Sequence, residues 1–268
     1  MCGKMSEQEI GKEAARLEQV GTRSESALAT QLHEMCPEDR LAVVRQIRSD
    51  MQQNPSNALP KLDFYNDGDL KSAERQGEKR VYDDDTARLA SRQVTDKDGT
   101  ETYVHDPKTR TLTSYDRRNN DGSSEHSEFA PNGNRTTVDR SDKHKNKETV
   151  TFDPDSGKEV ASDIKFKDGS TMHIVFDADG NIKELDSKDK DGNVNHWNRD
   201  AKDSGGTVKD EPRPYPMTGI EAKEIKFPNG FKVHLDFAPS SNYVSGIWTS
   251  DRDMKKTGDV HIASISRR

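Results

Sequence analysis

Two kinds of tight turn alternate through the middle of this chain, and their spacing fixes what it can fold into. The first is an Asp-Gly step, with its glycines at Gly99, Gly122, Gly169 and Gly192, 23 residues apart or 47 across one gap. In the gap, His144-Lys145-Asn146-Lys147 stands where a copy belongs. The second turn follows an apolar residue: Val104-His105-Asp106-Pro107, Phe129-Ala130-Pro131-Asn132-Gly133, Phe152-Asp153-Pro154-Asp155-Ser156-Gly157 and Phe176-Asp177-Ala178-Asp179-Gly180. Asp-Gly and Asn-Gly tolerate the positive φ that tight hairpins demand. Proline cannot continue a strand ladder and so marks the strand ends. Between turns lie runs of six to nine residues with period-two alternation. Met172, Ile174 and Phe176 share one face, and Thr171, His173 and Val175 the other. Phe231, Val233, Leu235 and Phe237 repeat the pattern against Lys232, His234 and Asp236. Each repeat is therefore two strands and two turns, and the array from about Asp96 to Trp197 is expected to be an antiparallel meander.

Composition sharpens this. Leu, Ile, Val and Phe together make up about 16% of the 268 residues, below the roughly 20% that usually separates folded from disordered chains. A thick single core is excluded, whereas a thin repeat structure that buries little per residue is not. Charged residues make up 34% of the chain, with 42 basic and 49 acidic residues and a net charge of -7. Such a surface protects strand edges from pairing with other chains. The charges are mixed rather than gathered in a basic face, which argues against nucleic-acid and membrane-surface partners. A protein is the partner expected.

Phe176-Asp177-Ala178-Asp179-Gly180-Asn181-Ile182 resembles the tyrosine–aspartate hairpin of RHS-type repeat proteins, and Phe152-Asp153-Pro154-Asp155-Ser156-Gly157-Lys158 is similar. The likeness covers about residues 96–197, with Phe where Tyr is typical. MORN-like repeats are a looser comparison. The RHS resemblance implies a β-rich shell or surface module and implies no enzymatic activity. Its core motifs and a toxin tip are not visible in the chain.

The flanks read differently. Ser6-Glu7-Gln8-Glu9 has the form of a capping box, and Ile10, Ala14 and Leu17 follow at helical spacing. Gly21 and Thr22 suggest a break. Leu28, Leu32 and Met35 resume the stripe, and Pro37-Glu38-Asp39 opens a further helix marked by Leu41, Val44, Ile47 and Met51. The fold class expected is α+β, mainly β. It comprises a helical unit over 6–53, a linker over 54–80 with room for one short element, the hairpin array over 81–200, a Gly/Pro-rich interruption over 201–219, and a C-terminal β continuation or small β domain over 220–268. Cys2 and Cys36 make no disulfide framework, and Cys36 reads as an inert small apolar residue. No secretory leader or membrane-length apolar run is seen in the sequence, so a cytoplasmic location is the default expectation, with signal-less export compatible.

Chemistry-bearing motifs are few. The acidic loop Ser187-Lys188-Asp189-Lys190-Asp191-Gly192 lacks the first and last ligands of an EF-hand, having Ser187 and Asn198 there. Phosphate loops, nucleophile elbows and zinc-protease signatures are missing. Trp197, Phe227, Phe231, Tyr243 and Trp248 read as core or edge-covering aromatics. The most suggestive polar feature is a histidine four residues after a turn glycine, at His126, His173, His196 and His234. Copies one repeat apart lie two strands apart, roughly 10 Å, which makes convergence on one zinc ion awkward. The ladder therefore reads as inheritance of the repeat. On the sequence alone no catalytic, cofactor or metal residue is assigned, and the chain is expected to be a non-enzymatic scaffold or interaction module. The alternative expectation is a toxin- or effector-associated protein with a small active C-terminal region.

Overall fold

The computed structural model describes residues 4–54, 59–201, 207–212, 220–227, 230–237, 244–250 and 256–261. Three helices come first: α1 (Glu7–Arg23), α2 (Glu25–His33) and α3 (Pro37–Gln53). Thirteen strands follow in one antiparallel sheet whose spatial order is the sequence order. They are β1 (Lys61–Phe64), β2 (Leu70–Arg75), β3 (Glu78–Tyr82), β4 (Leu89–Thr95), β5 (Gly99–His105), β6 (Leu112–Asn119), β7 (Ser124–Phe129), β8 (Arg135–Ser141), β9 (Lys147–Phe152), β10 (Glu159–Lys165), β11 (Thr171–Phe176), β12 (Ile182–Lys188) and β13 (Val194–Asn198). A second sheet holds β14 (Thr207–Pro212), β15 (Ile220–Lys226), β16 (Lys232–Phe237), β17 (Val244–Ser250) and β18 (Lys256–His261), again in sequence order. The expected class, mainly β with a helical start, is what forms. The chain divides into two units, 1–117 and 118–268.

In the first unit the capping box closes as expected. Ser6 N–H donates to Glu9 at 2.8 Å, and Glu9 N–H to the Ser6 hydroxyl at 3.4 Å. The break after α1 falls at Ser24, whose hydroxyl accepts from Ala27 N–H and caps α2. Gly21 is buried where α1 meets α2: a Cβ there would lie 2.8 Å from Leu28 Cδ2. The helices do not form a self-contained bundle. Leu17, Leu28, Leu32, Val43, Val44 and Ile47 share one core with Phe64, Leu70, Ala73 and Tyr82 of β1 to β3. Leu41, expected on the buried face, is exposed, and Val43 takes its place. The span 54–80 was expected as a linker. It instead carries β1, β2 and the start of β3, because Phe64, Leu70 and Ala73 cover the apolar helix faces. Cys36 is disulfide-bonded rather than an inert thiol.

Buried charge anchors this unit. Asp69, in the β1–β2 turn and 1% exposed, is ion-paired with buried Arg40 of α3 and accepts from His33 of α2 at 2.8 Å. A buried carboxylate survives only with such partners. Further along the sheet, Arg92 lies over the Tyr103 ring, which packs at a tilt of 51° against Tyr115, with centroids 5.1 Å apart.

The turns are built as the sequence implies. Asp96 Oδ1 accepts from Asp98 N–H at 2.8 Å, and Asp121, Asp168, Asp177 and Asp189 each accept at 2.9 Å from the N–H two residues on. The copy without glycine keeps the same backbone: Lys145 sits at φ 73°.

In the second unit the two sheets share a core. Ile164, Met172, Ile174, Phe176, Leu185 and Trp197 from β10 to β13 pack with Ile225, Phe227, Phe231, Val233 and Leu235 of the second sheet. The C-terminal strands thus form a covering sheet. The span 201–219, expected as an interruption, contains β14; its residues 202–206 and 213–219 lie outside the described residues, as does Tyr243. Over β7 to β10 the same inner face also buries polar groups, Glu125, Ser127, Glu148 and Ser162 around Arg140, beside the apolar Val138 and Val150. Arg140 bridges Glu125 at 3.1 Å and Glu148 at 3.2 Å. Burial pushes the Glu148 carboxyl up, and half-buried Glu159 is pushed up to about 7 by burial and by the Glu148 charge.

Candidate functional site

The outer face of the second unit is where the histidines lie, and register decides their surroundings. Side chains directly opposite one another in an antiparallel pair point to the same side. His126 on β7 faces Asp139 on β8, which faces Thr149 on β9, which faces Asp163 on β10. Asp163 faces His173 on β11, His173 faces Asp186 on β12, and Asp186 faces His196 on β13. The result is one row across seven strands in which histidine and aspartate alternate, with Thr149 as the neutral member.

Three of the four histidines singled out in the sequence thus share a row, and each has an aspartate opposite. His173 Nδ1 lies 2.8 Å from Asp163 Oδ1, and His196 Nδ1 lies 2.6 Å from Asp186 Oδ1. With Nδ1–H donating to the carboxylate, Nε2 of each ring presents its lone pair outward. His126 lies 3.9 Å from Glu128. His234 belongs to the second sheet and contacts Asp236 at 3.1 Å, opposite Glu224 and Trp248 in register.

A parallel row lies two residues along the strands on the same face. Ser141 faces Lys147, Lys147 faces Lys165, Lys165 faces Thr171, Thr171 faces Lys188, and Lys188 faces Val194. Directly opposed lysines repel, and the acidic row beside them offsets that repulsion. Between the rows runs a shallow, open groove lined by Lys147, Thr149, Asp163, Lys165, His173, Asp186 and Lys188.

Among the described residues, two groups place three potential metal ligands within 4.8 Å of one another: Glu184, Asp186 and His196, and Asp67, Asp69 and Asp84. The second group includes the carboxylate already held by Arg40 and His33, and its role is structural. The first lies at the end of the His/Asp row, with Glu184 Oε1 3.9 Å from His196 Nδ1.

The sequence identified the histidines but missed Asp139, Asp163, Asp186 and Glu184. The signal was present as a fixed offset: Asp163 precedes His173 by ten residues, and Asp186 precedes His196 by ten. A five-residue hairpin loop converts that offset into direct opposition.

No protein-family description matches the chain, and no curated protein matches it in sequence. Among solved structures, a TcdB2-TccC3-Cdc42 complex is similar over 76% of this chain and 13% of that chain, at 9% identity and a TM-score of 0.22. A porin-like protein from Bacteroides uniformis is similar over 65% of this chain and 55% of that one, at 14% identity and a TM-score of 0.20. Another, from Bacteroides vulgatus, is similar over 78% of this chain and 93% of that one, at 9% identity and a TM-score of 0.16. No helix among the described residues is long and apolar enough to cross a membrane.

Proposed function

We propose that this chain is a non-enzymatic β-repeat scaffold whose outer sheet face, over β7 to β13, engages a protein partner. The observation that supports this reading is the row from His126 to His196, held in register across seven strands beside a row of lysines. Such a face is regular and mixed in charge. Complementary potentials give partner choice and register more than raw affinity. The groove is open rather than enclosed, which suits a broad macromolecular contact better than capture of a small substrate.

A photo-crosslinking residue at Thr149 or Thr171, on this face, should capture a specific partner, and one at Leu41 in the first unit should not. Changing Lys147, Lys165 and Lys188 together to Glu should abolish the capture. Robust turnover on a simple substrate panel would sink the reading.

The RHS-like hairpin motif supports a second reading, a toxin- or effector-associated protein. Its active C-terminal region is the weaker part. Ile225, Val233 and Leu235 bury themselves in the same core as β10 to β13, so residues 219–268 expressed alone should not fold. An independently folded, growth-inhibiting fragment would favour this second reading instead.

A further inference from the structure

Glu184 and Asp186 are two residues apart on β12 and so share its outer face, and His196 stands directly opposite Asp186 on β13. One ligand atom from each lies within 4.8 Å of the others. Their coordination chemistry is that of two carboxylates and one imidazole on two rigid, paired strands. We propose that Glu184, Asp186 and His196 form a binding site for a divalent transition-metal ion of the zinc class. This inference is independent of the scaffold reading.

The spacing fits. An ion bound at about 2.0–2.1 Å to each of three ligands in tetrahedral geometry needs about 3.3 Å between ligand atoms. His196 Nδ1 is 2.6 Å from Asp186 Oδ1 and 3.9 Å from Glu184 Oε1, so each distance changes by less than an ångström to admit the ion. The ion takes the place of the proton between His196 Nδ1 and Asp186, and that proton moves through solvent to Nε2, so the bound imidazole stays neutral. The two carboxylates balance the ionic charge. His173, opposite Asp186 on its other side, is a fourth group within one strand spacing. Lys188, on the same strand and face, has its Cε 3.9 Å from where a Cβ on Gly192 would lie. Its chain runs toward the β12–β13 turn, away from Asp186.

The imidazole selects the metal. A histidine with carboxylates suits Zn²⁺, Ni²⁺ or Cu²⁺, whereas Ca²⁺ and Mg²⁺ prefer oxygen alone. The three groups are only partly buried, so substitutions there should leave the fold intact, with circular dichroism as the check.

The test is a Zn²⁺ titration of the full chain, stripped with EDTA and labelled with ¹⁵N-histidine, followed by NMR of the imidazole nitrogens. One equivalent of Zn²⁺ should move the His196 signals and leave those of His126 in place. Glu184→Gln, Asp186→Asn and His196→Gln should each raise the apparent Kd about tenfold or more, and a tenfold excess of Ca²⁺ should not displace Zn²⁺. Unmoved His196 signals at one equivalent would overturn the proposal, as would variants that keep wild-type affinity or displacement by Ca²⁺. Because the imidazole signals report on the unmodified chain, a variant that misfolds does not remove the test.

Discussion

Asp186 on β12 stands directly opposite His196 on β13, with its Oδ1 2.6 Å from the imidazole Nδ1. Both side chains are exposed, so the pair contributes little stability despite its short distance. A cross-strand pair of opposite polarity contributes roughly 0.2–1 kcal/mol. A double-mutant cycle with Asp186→Ala and His196→Ala, measured by urea unfolding without metal, should return a coupling in that range. It should shrink further in 1 M salt, where the screening length is about 3 Å.

The second prediction concerns backbone strain. Lys145 holds φ 73° at the place where other copies carry glycine, such as Gly122 at 84° and Gly169 at 93°. A side chain there costs about 1 kcal/mol relative to glycine. Lys145→Gly should therefore stabilise the protein by about 0.5–1 kcal/mol. Its contact from Nζ to the Gly122 carbonyl, at 3.4 Å, is long and exposed and offsets little. A higher midpoint in denaturant at unchanged slope is the expected readout.

The third turns on the buried charge network of β8 to β10. The Glu159 carboxyl is raised from 4.5 to about 7 by burial and by Glu148. Between those two pH values the folded state holds a proton that the unfolded chain has released. This carboxyl's contribution is therefore complete below pH about 4.5 and falls as pH rises to about 7. At 1.36 kcal/mol per pKa unit the full effect is at most roughly 3 kcal/mol. Glu159→Gln should flatten the stability profile across that window and make the protein more stable than wild type at pH 8. An unchanged difference between pH 5 and pH 8 would refute it.

The fourth prediction is the largest. Asp69 is almost wholly buried and depends on Arg40 and His33 for its charge. Arg40→Ala leaves that buried carboxylate with His33 as its one remaining partner of the two and should cost up to about 3–5 kcal/mol. Arg40→Ala combined with Asp69→Ala should recover part of the loss. Thermal unfolding of the two variants against wild type measures both effects.

The hairpin array was legible because its turns are chemically specific. Asp177-Ala178-Asp179-Gly180 can hardly be anything but a turn, and the alternation from Met172 to Phe176 assigned the buried face correctly. The edges of the array were not legible. Lys61-Leu62-Asp63-Phe64 and Leu70 to Arg75 form strands largely because the helices need an apolar partner there, and no local pattern records that need. Nor did the sequence show that β15 and β16 fold back as a covering layer. Their alternation is the same as that of the array, and only the bulky inner rows of β10 to β13 decide which sheet they join. The histidines were visible and their partners were not. Opposition across a hairpin depends on loop length, which must be known to the residue before Asp186 can be matched with His196.

Since every strand in the long sheet pairs only with its sequence neighbours, the sheet behaves as a ruler. One repeat adds two strands, or about 9.6 Å of width at 4.8 Å per strand. It returns each later side chain to the face it held before. Where the inner face is apolar, over β10 to β13, a new repeat would require a matching extension of the covering sheet. Over β7 to β9 the inner face is buried as well, by Ser127, Val138, Glu148 and Val150, so a repeat inserted there would need covering too. The width of the outer face is thus a heritable dimension, adjustable in fixed steps of one repeat together with its cover.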